Sequence, residues 1–353
     1  MTKSQNNKYT LDPTHIKAFS GYFNDVNKLK KSASGGAATV FGEIVIECGG
    51  LVYGVTYADD FKSAHYLRAE NKEQLNSLKG SKYIFAKPYL FDPSFNKKQV
   101  YVDVAENLVK NRIVLFIGTG CLVGGLKKYL DVKKVNDNNL FTIDLICAGA
   151  TYSSAGKQFI EELESRYESQ IIDFNARYKN DGWKPSIYAR FQNGQVYCKR
   201  LFETEFGYVF DRISRASCFS CMFKGDNHLA DITVGDYWGL EKSSPNYNNN
   251  GVSLILCRSD KSLQLTDKID ITIFPITKID TTHALKNNSF FYRDRRMVRD
   301  YESIERVLKD KGLIFLISRY KYLDFLKFKY KNVLKRKLPP FVLSLIRKVR
   351  KII

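Results

Sequence analysis

The sequence predicts an α/β fold: a mostly parallel or mixed sheet flanked by helices, with a β-rich insertion and a basic amphipathic helical tail at the C-terminus. Three observations carry this. Helix-period and strand-like segments alternate between residues 34 and 160. Three short strand-like runs separated by turn residues follow at 171–202. From Lys311 to the end there are 13 Lys and Arg against one acid, Asp324.

The elements follow in order. Residues 1–30 are polar and read as an irregular lead-in with a short helix near His15 to Lys30. Ser and Gly residues at 32–36 then open a helix in which Val40, Phe41, Ile44, Val45 and Cys48 keep helical spacing, and Gly49 and Gly50 stop it. LVYGVTY and AHYLRA are strands, rich in β-branched and aromatic residues. A helix ending near Gly80, a helix over VYVDVAENLVKN and a buried strand RIVLFIG come next. GTGCLVGGLKKYL is a glycine-rich turn running into a helix, and LFTIDLIC is a strand. A helix over 151–169 leads to the meander FNARYK, PSIYARF and QVYCKRLF, with turns at DGW and NGQ. Tyr208 to Ile213 is helical, and ADITVGDYWG and VSLILCRS are strands on either side of the polar loop SSPNYNNNG. The expected organisation is a lead-in at 1–30, one large domain at 31–310 and the basic tail at 311–353.

At 353 residues, 44% hydrophobic and 14% aromatic, the chain can bury a sizeable core. The N-terminus shows no secretory pattern, and no run of eighteen uncharged apolar residues occurs, so a cytoplasmic protein with reduced thiols is expected. Seven cysteines, odd in number and irregularly spaced, argue against a disulfide framework. The net charge is +19, but the tail holds +12 of it and leaves +7 on the first 310 residues. That distribution weakens a nucleic-acid reading of the whole chain, so no specific nucleic acid is expected as partner.

The cysteines bear most on function. Cys218 and Cys221 form a C-x-x-C turn, which can bind metal, run redox chemistry or form a disulfide. Cys121 follows one predicted strand and Cys147 closes another. If those strands are parallel neighbours, both thiols stand at the carboxyl edge where ligands bind in open α/β sheets. Four thiolates suit either zinc or an iron–sulfur cluster. The competing reading is buried free thiols, which is the preferred one for Cys48, Cys198 and Cys257.

The segments KSASGGAATV, GGLVYGVTYADDF, LKGSKYIFA, VLFIGTGCLVGGLKKYL, TIDLICAG, RASCFSCMFKG and ADITVGDYWG stand here in an order familiar from one group of proteins. With them the chain resembles the coenzyme F420 hydrogenase/dehydrogenase beta subunit family over residues 30–310. Members are flavin and iron–sulfur electron-transfer proteins, some of them from bacterial polysaccharide gene clusters. The resemblance implies a [4Fe–4S] cluster on Cys121, Cys147, Cys218 and Cys221, beside an FAD. Many relatives begin with a ferredoxin-like module rich in cysteines. This chain has no cysteine before Cys48, so electrons are expected from a separate donor such as a ferredoxin. Where relatives usually have GTPCQ and CHG, this chain has GTGCL at 118–122 and CAG at 147–149.

For the flavin, Lys31 and the turn with Ser34, Gly35 and Gly36 offer charge, backbone N–H groups and a helix N-terminus to a phosphate. An ordinary N-cap is the alternative. Gly118 and Thr119 form a second candidate cradle. Ser81, Lys82 and Tyr83 could contact phosphate or stack on a ring, or could simply follow a helix-ending glycine. Asp236, Tyr237 and Trp238 could line the pocket. His15, His65, His228 and His283 show no metal spacing, and only His228 lies near the C-x-x-C turn.

The expected function is a flavin- and [4Fe–4S]-dependent oxidoreductase acting on an organic substrate, a sugar or lipid-linked glycan intermediate. The alternative is a structural zinc or non-catalytic binding protein that keeps the fold. In the tail, Pro339 and Pro340 precede FVLSLIRKVRKII, whose apolar residues, Leu343 apart, fall within an arc of roughly 140°. Basic residues occupy the rest, and residues 312–337 upstream repeat the mixture of apolar, aromatic and basic residues. The tail at 311–353 therefore predicts peripheral attachment to the anionic inner face of the cytoplasmic membrane, with docking on the protein's own core as the alternative.

Overall fold

The structure is a computed structural model that describes residues 15–90 and 98–338. The strands are β1 (Lys17–Gly21), β2 (Leu51–Tyr57), β3 (Ala64–Ala69), β4 (Lys87–Leu90), β5 (Val114–Thr119), β6 (Leu140–Leu145), β7 (Ile171–Tyr178), β8 (Ser186–Phe191), β9 (Val196–Arg200), β10 (Ile232–Asp236), β11 (Ser253–Cys257) and β12 (Ile276–Ile279). Among the described residues nine of them form one sheet, ordered β12-β1-β11-β10-β6-β5-β2-β3-β4, and β7, β8 and β9 form a separate antiparallel sheet. In the large sheet β10, β6, β5 and β2 run parallel, β3 pairs parallel with β4, and the pairs around β1, β11 and β12, with β2–β3, are antiparallel. The sheet is therefore mixed, with a parallel centre.

Helices cover both faces of that centre, as a parallel sheet requires. On one face the helix Ala37–Glu47 buries Phe41 and Val45 in a core with Leu115, Ile143 and Ile255. On the other, Val100–Val109 and Gly120–Lys133 bury Val104, Leu122, Val123 and Leu126 against Tyr53 and Phe116. A third core joins the small sheet to the helices Ser153–Tyr167, Glu205–Arg212 and Tyr301–Asp310 through Phe159, Leu163, Phe191, Tyr208 and Leu308.

Two expectations change. Residues 17–21, read as part of a helix near His15 to Lys30, form β1, inserted between β12 and β11; the helix of that stretch is only Val26–Lys31. KAFSG is too short to show its period, and both its partners lie more than 230 residues away. The tail also changes in part. Its apolar arc at 341–353 lies outside the described residues, but the helix Tyr322–Lys337 docks on the body. Phe325 and Phe328 meet the Tyr208 ring edge-on at 5.7 and 5.5 Å, and the Tyr208 hydroxyl donates to Asp324 at 2.6 Å.

Candidate redox site at the carboxyl edge of the sheet

The parallel register sets Thr119 opposite Leu145, and Leu145 opposite Val234. The ends of β5, β6 and β10 therefore share one edge, and the residues just beyond them are Cys121, Cys147 and Tyr237–Trp238. Cys121 lies in the first turn of the helix Gly120–Lys133, with Sγ 3.2 Å from the Thr119 hydroxyl. Cys147 lies two residues past β6, and its sulfur accepts the Gly149 N–H at 3.2 Å. Gly149 sits at φ 103°, and a Cβ there would stand 3.2 Å from Cβ of Cys218. This is a close approach that only glycine permits, and it presses the Cys147 loop onto the C-x-x-C turn. That turn is fixed from both ends. Cys218 N–H closes onto the Arg215 carbonyl at 2.8 Å, and Cys221 N–H donates to Asp294 at 3.0 Å.

The structure brings the four expected cysteines into one neighbourhood. Burial pushes the Cys147 thiol up to about 11, against the pull of Lys224, and Cys121 and Cys218 lie near enough to raise it further. Burial likewise raises Cys221, which also feels Cys121 and Cys218. Two cations stand over the loops. Lys224 donates from Nζ to the carbonyls of Cys147 and Phe290, each at 2.6 Å, and Arg295 donates to the Ala148 carbonyl at 2.6 Å. Among the described residues no three His, Cys, Asp or Glu side chains stand in closed metal-holding geometry. The donor set nonetheless fits a soft metal group: four thiols, a backbone N–H already on one sulfur, and positive charge to offset thiolates. The other three cysteines take no part. Cys257 is buried with Sγ 3.3 Å from the Thr266 hydroxyl, and Cys48 and Cys198 are exposed.

The expected flavin contacts divide differently. Gly35 and Gly36 do leave room for a close approach, but the protein's own atoms fill it. A Cβ on Gly35 would stand 2.1 Å from the Gly21 carbonyl, and one on Gly36 2.5 Å from the Phe23 ring. Ser34, at φ 49°, spends its hydroxyl on the Val252 carbonyl at 2.7 Å. Lys31 is exposed at the end of the helix Val26–Lys31. Gly118 is tight for the same reason as Gly35, with the Tyr66 hydroxyl 2.6 Å from a Cβ. Lys82 caps the helix Lys72–Ser77, donating to the carbonyls of Ser77, Leu78 and Lys79, and Ser81 is half-buried beside it. The phosphate-cradle expectation for these residues thus meets packing and capping roles. Tyr83 is the exception, because it belongs to a polar cluster at the sheet edge.

Sequence reasoning named Tyr83, Asp236 and Trp238 of that cluster but missed Arg177 and Trp183, which join them, and Lys179 beside Arg177. Arg177 on β7 donates to the Tyr83 hydroxyl at 2.9 Å and to Asp236 at the end of β10. Asp236 also accepts the Trp183 indole N–H at 2.6 Å, and Trp183 stacks on Trp238 at 5.2 Å. Arg177 is 6% exposed, and its Nε has no partner among the described residues. Lys179, 3% exposed, donates to the carbonyls of Leu29 and Ser34 at 2.7 and 2.5 Å. Burial and the neighbouring Arg177 push it down to about 7. Two buried cations thus face one half-buried acid at the junction of the two sheets. The trace of the two cations in the sequence is two basic residues at i and i+2 in FNARYK, which on an isolated strand read as a solvated face.

Comparison with known proteins supplies the frame. Residues 111–279 match the family described as the C-terminal part of the coenzyme F420 hydrogenase/dehydrogenase beta subunit. The resemblance read from the sequence is borne out, and the matched region contains all four cysteines of the edge together with Arg177, Lys179 and Asp236. Among solved structures, a chain of the F420-reducing [NiFe] hydrogenase complex from Methanosarcina barkeri, solved as a xenon derivative, shares the fold. The TM-score is 0.50 at 16% identity, over 85% of this chain and 92% of that one. No curated protein matches this chain.

Proposed function

We propose that this chain is an oxidoreductase of the hydrogenase/dehydrogenase beta-subunit type, carrying a [4Fe–4S] cluster on Cys121, Cys147, Cys218 and Cys221 beside a flavin, FAD. It takes electrons from a separate donor such as a ferredoxin and acts on a small organic or glycan substrate, a sugar or lipid-linked intermediate. The observation that carries this reading is that Cys147 and Cys221 each lie within electrostatic reach of both Cys121 and Cys218, at the carboxyl edge of parallel strands, inside the region that matches the family. The cluster and flavin supply one-electron and hydride-equivalent chemistry. The chain's own part is to hold them. Gly149 N–H, Lys224 and Arg295 offset negative charge on the thiolates. Arg177 and Lys179, with Tyr83 and Ser34 beside them, offer the positive charge that a flavin phosphate or pyrophosphate needs, and an anion there would keep the Lys179 ammonium charged. Peripheral attachment to an anionic membrane through the basic tail belongs to the same reading and suits a lipid-linked substrate.

The test is anaerobic purification followed by iron, sulfide and flavin analysis and an absorption spectrum. Brown protein with iron, sulfide and flavin in stoichiometric amounts is expected. Colourless protein with stoichiometric zinc would overturn the reading in favour of a structural metal site.

A further inference from the structure

The helix Tyr322–Lys337 is apolar on two opposite faces. Phe325 and Phe328, 7% and 9% exposed, form the inner one against Tyr208. On the outer side Leu323, Lys327, Tyr330 and Leu334 follow at steps of four, three and four residues, which is one stripe along a helix. Leu323, Tyr330 and Leu334 are 69%, 61% and 54% exposed. Tyr320 and Tyr322, just before the stripe, are 44% and 50% exposed. Scattered exposed apolar residues need no explanation, but Leu323, Tyr330 and Leu334 aligned on one side of a helix around a lysine mark a face with a partner.

Charge narrows the choice of partner. Residues 319–337 hold eight Lys and Arg against one acid, Asp324, and that acid is already taken by the Tyr208 hydroxyl and Arg212. Lys327 within the stripe and Lys331 and Lys337 beside it are exposed. A second copy of this helix would bring the same charge to the contact. So would residues 339–353, with Arg347, Lys348, Arg350, Lys351 and no acid. The occupant that fits is apolar within and negative at its surface. An anionic bilayer has both properties, and a helix lying in its interface sinks its apolar side to about 5–10 Å while lysines reach the headgroups. No helix among the described residues is long and apolar enough to cross.

We propose that the Leu323–Tyr330–Leu334 stripe is the face by which this chain lies on an anionic lipid surface. This rests on the peripheral-attachment reading above and narrows the contact, within the 311–353 tail, to one face of a helix docked on the body.

The experiment is co-sedimentation of the full chain with vesicles of phosphatidylglycerol and phosphatidylcholine in equal parts, and of phosphatidylcholine alone. Three proteins are compared: wild type, Leu323→Ser/Tyr330→Ser/Leu334→Ser, and Lys327→Gln/Lys331→Gln/Lys337→Gln. All positions are exposed, so thermal melts of both variants should match wild type. Wild type should bind the anionic vesicles only, and each variant should lose about tenfold or more in affinity. A wild type that binds while the serine variant binds equally overturns this proposal alone and moves attachment beyond residue 338. A wild type that ignores anionic vesicles overturns both this proposal and the peripheral reading. Equal binding to neutral vesicles overturns the charge argument on which the choice of partner rests.

Discussion

His228 Nδ1 lies 2.6 Å from the Asp144 carboxylate, and the two side chains are 2% and 0% exposed. Asp144 is three residues before Cys147 on β6, and His228 is seven residues after Cys221, stacked flat on Phe291. The pair therefore ties together the two chain segments that carry three of the four thiols. His228→Leu leaves a buried carboxylate with no partner, which should cost about 3–5 kcal/mol. Asp144→Asn keeps a hydrogen bond and should cost less. Urea melts of the two variants measure the difference. A His228→Leu protein as stable as wild type would show that the pair does not hold the turn.

The cysteine assignment makes a sharp contrast. Cys218→Ser/Cys221→Ser should lose bound iron, because a hydroxyl is a poor ligand for a soft metal. Cys121→Ser or Cys147→Ser should at least destabilise iron binding. Cys257→Ser should keep full iron content, since its sulfur faces Thr266 in the core. Iron and sulfide assays on anaerobic preparations decide. Full iron in the double variant would remove the cluster from this site.

Arg177→Met tests the buried cation pair. If a flavin phosphate rests against Arg177 and Lys179, the variant should lose flavin by about tenfold or more in affinity while keeping iron. Equal loss of both cofactors would instead indicate a folding defect. Gly36→Val is not a clean probe of the same question. At φ 96° and with Phe23 2.5 Å from a Cβ, it should destabilise the whole protein by at least about 1–3 kcal/mol. A melting curve is the appropriate readout for it.

Two buried lysines should contribute stability that grows as the pH rises above neutrality. Lys179 and Lys82 are each pushed by burial from 10.5 down to about 7 in the folded chain. Between those values the unfolded chain binds more protons than the folded one, so raising the pH favours folding. Below about 7 both lysines are charged in either state, and the cost of burying the charge is fully present. Lys179→Met should flatten the slope of unfolding free energy against pH between about 7 and 10. An unchanged slope would mean that the ammonium keeps its charge on the Leu29 and Ser34 carbonyls.

The local elements and the candidate ligand residues were legible in the sequence. Strand runs such as RIVLFIG and the helix at 37–47 were legible because apolar spacing is a local property, and burial of one face enforces it. The four thiols and the basic tail were legible because residue type and spacing are read directly from the chain. What lay beyond it were relations set by long-range pairing. β1 is a strand only because β11 and β12 accept it, and five residues carry too little pattern to say so. Gly35, Gly36 and Gly118 advertise close approach, and it takes the tertiary contacts to show that Gly21, Phe23 and Tyr66 are the groups that approach them. Arg177 and Lys179 look solvated on an isolated strand. They are buried because the small sheet folds back onto the edge of the large one, and a charge's cost depends on its neighbours rather than on its place in the sequence.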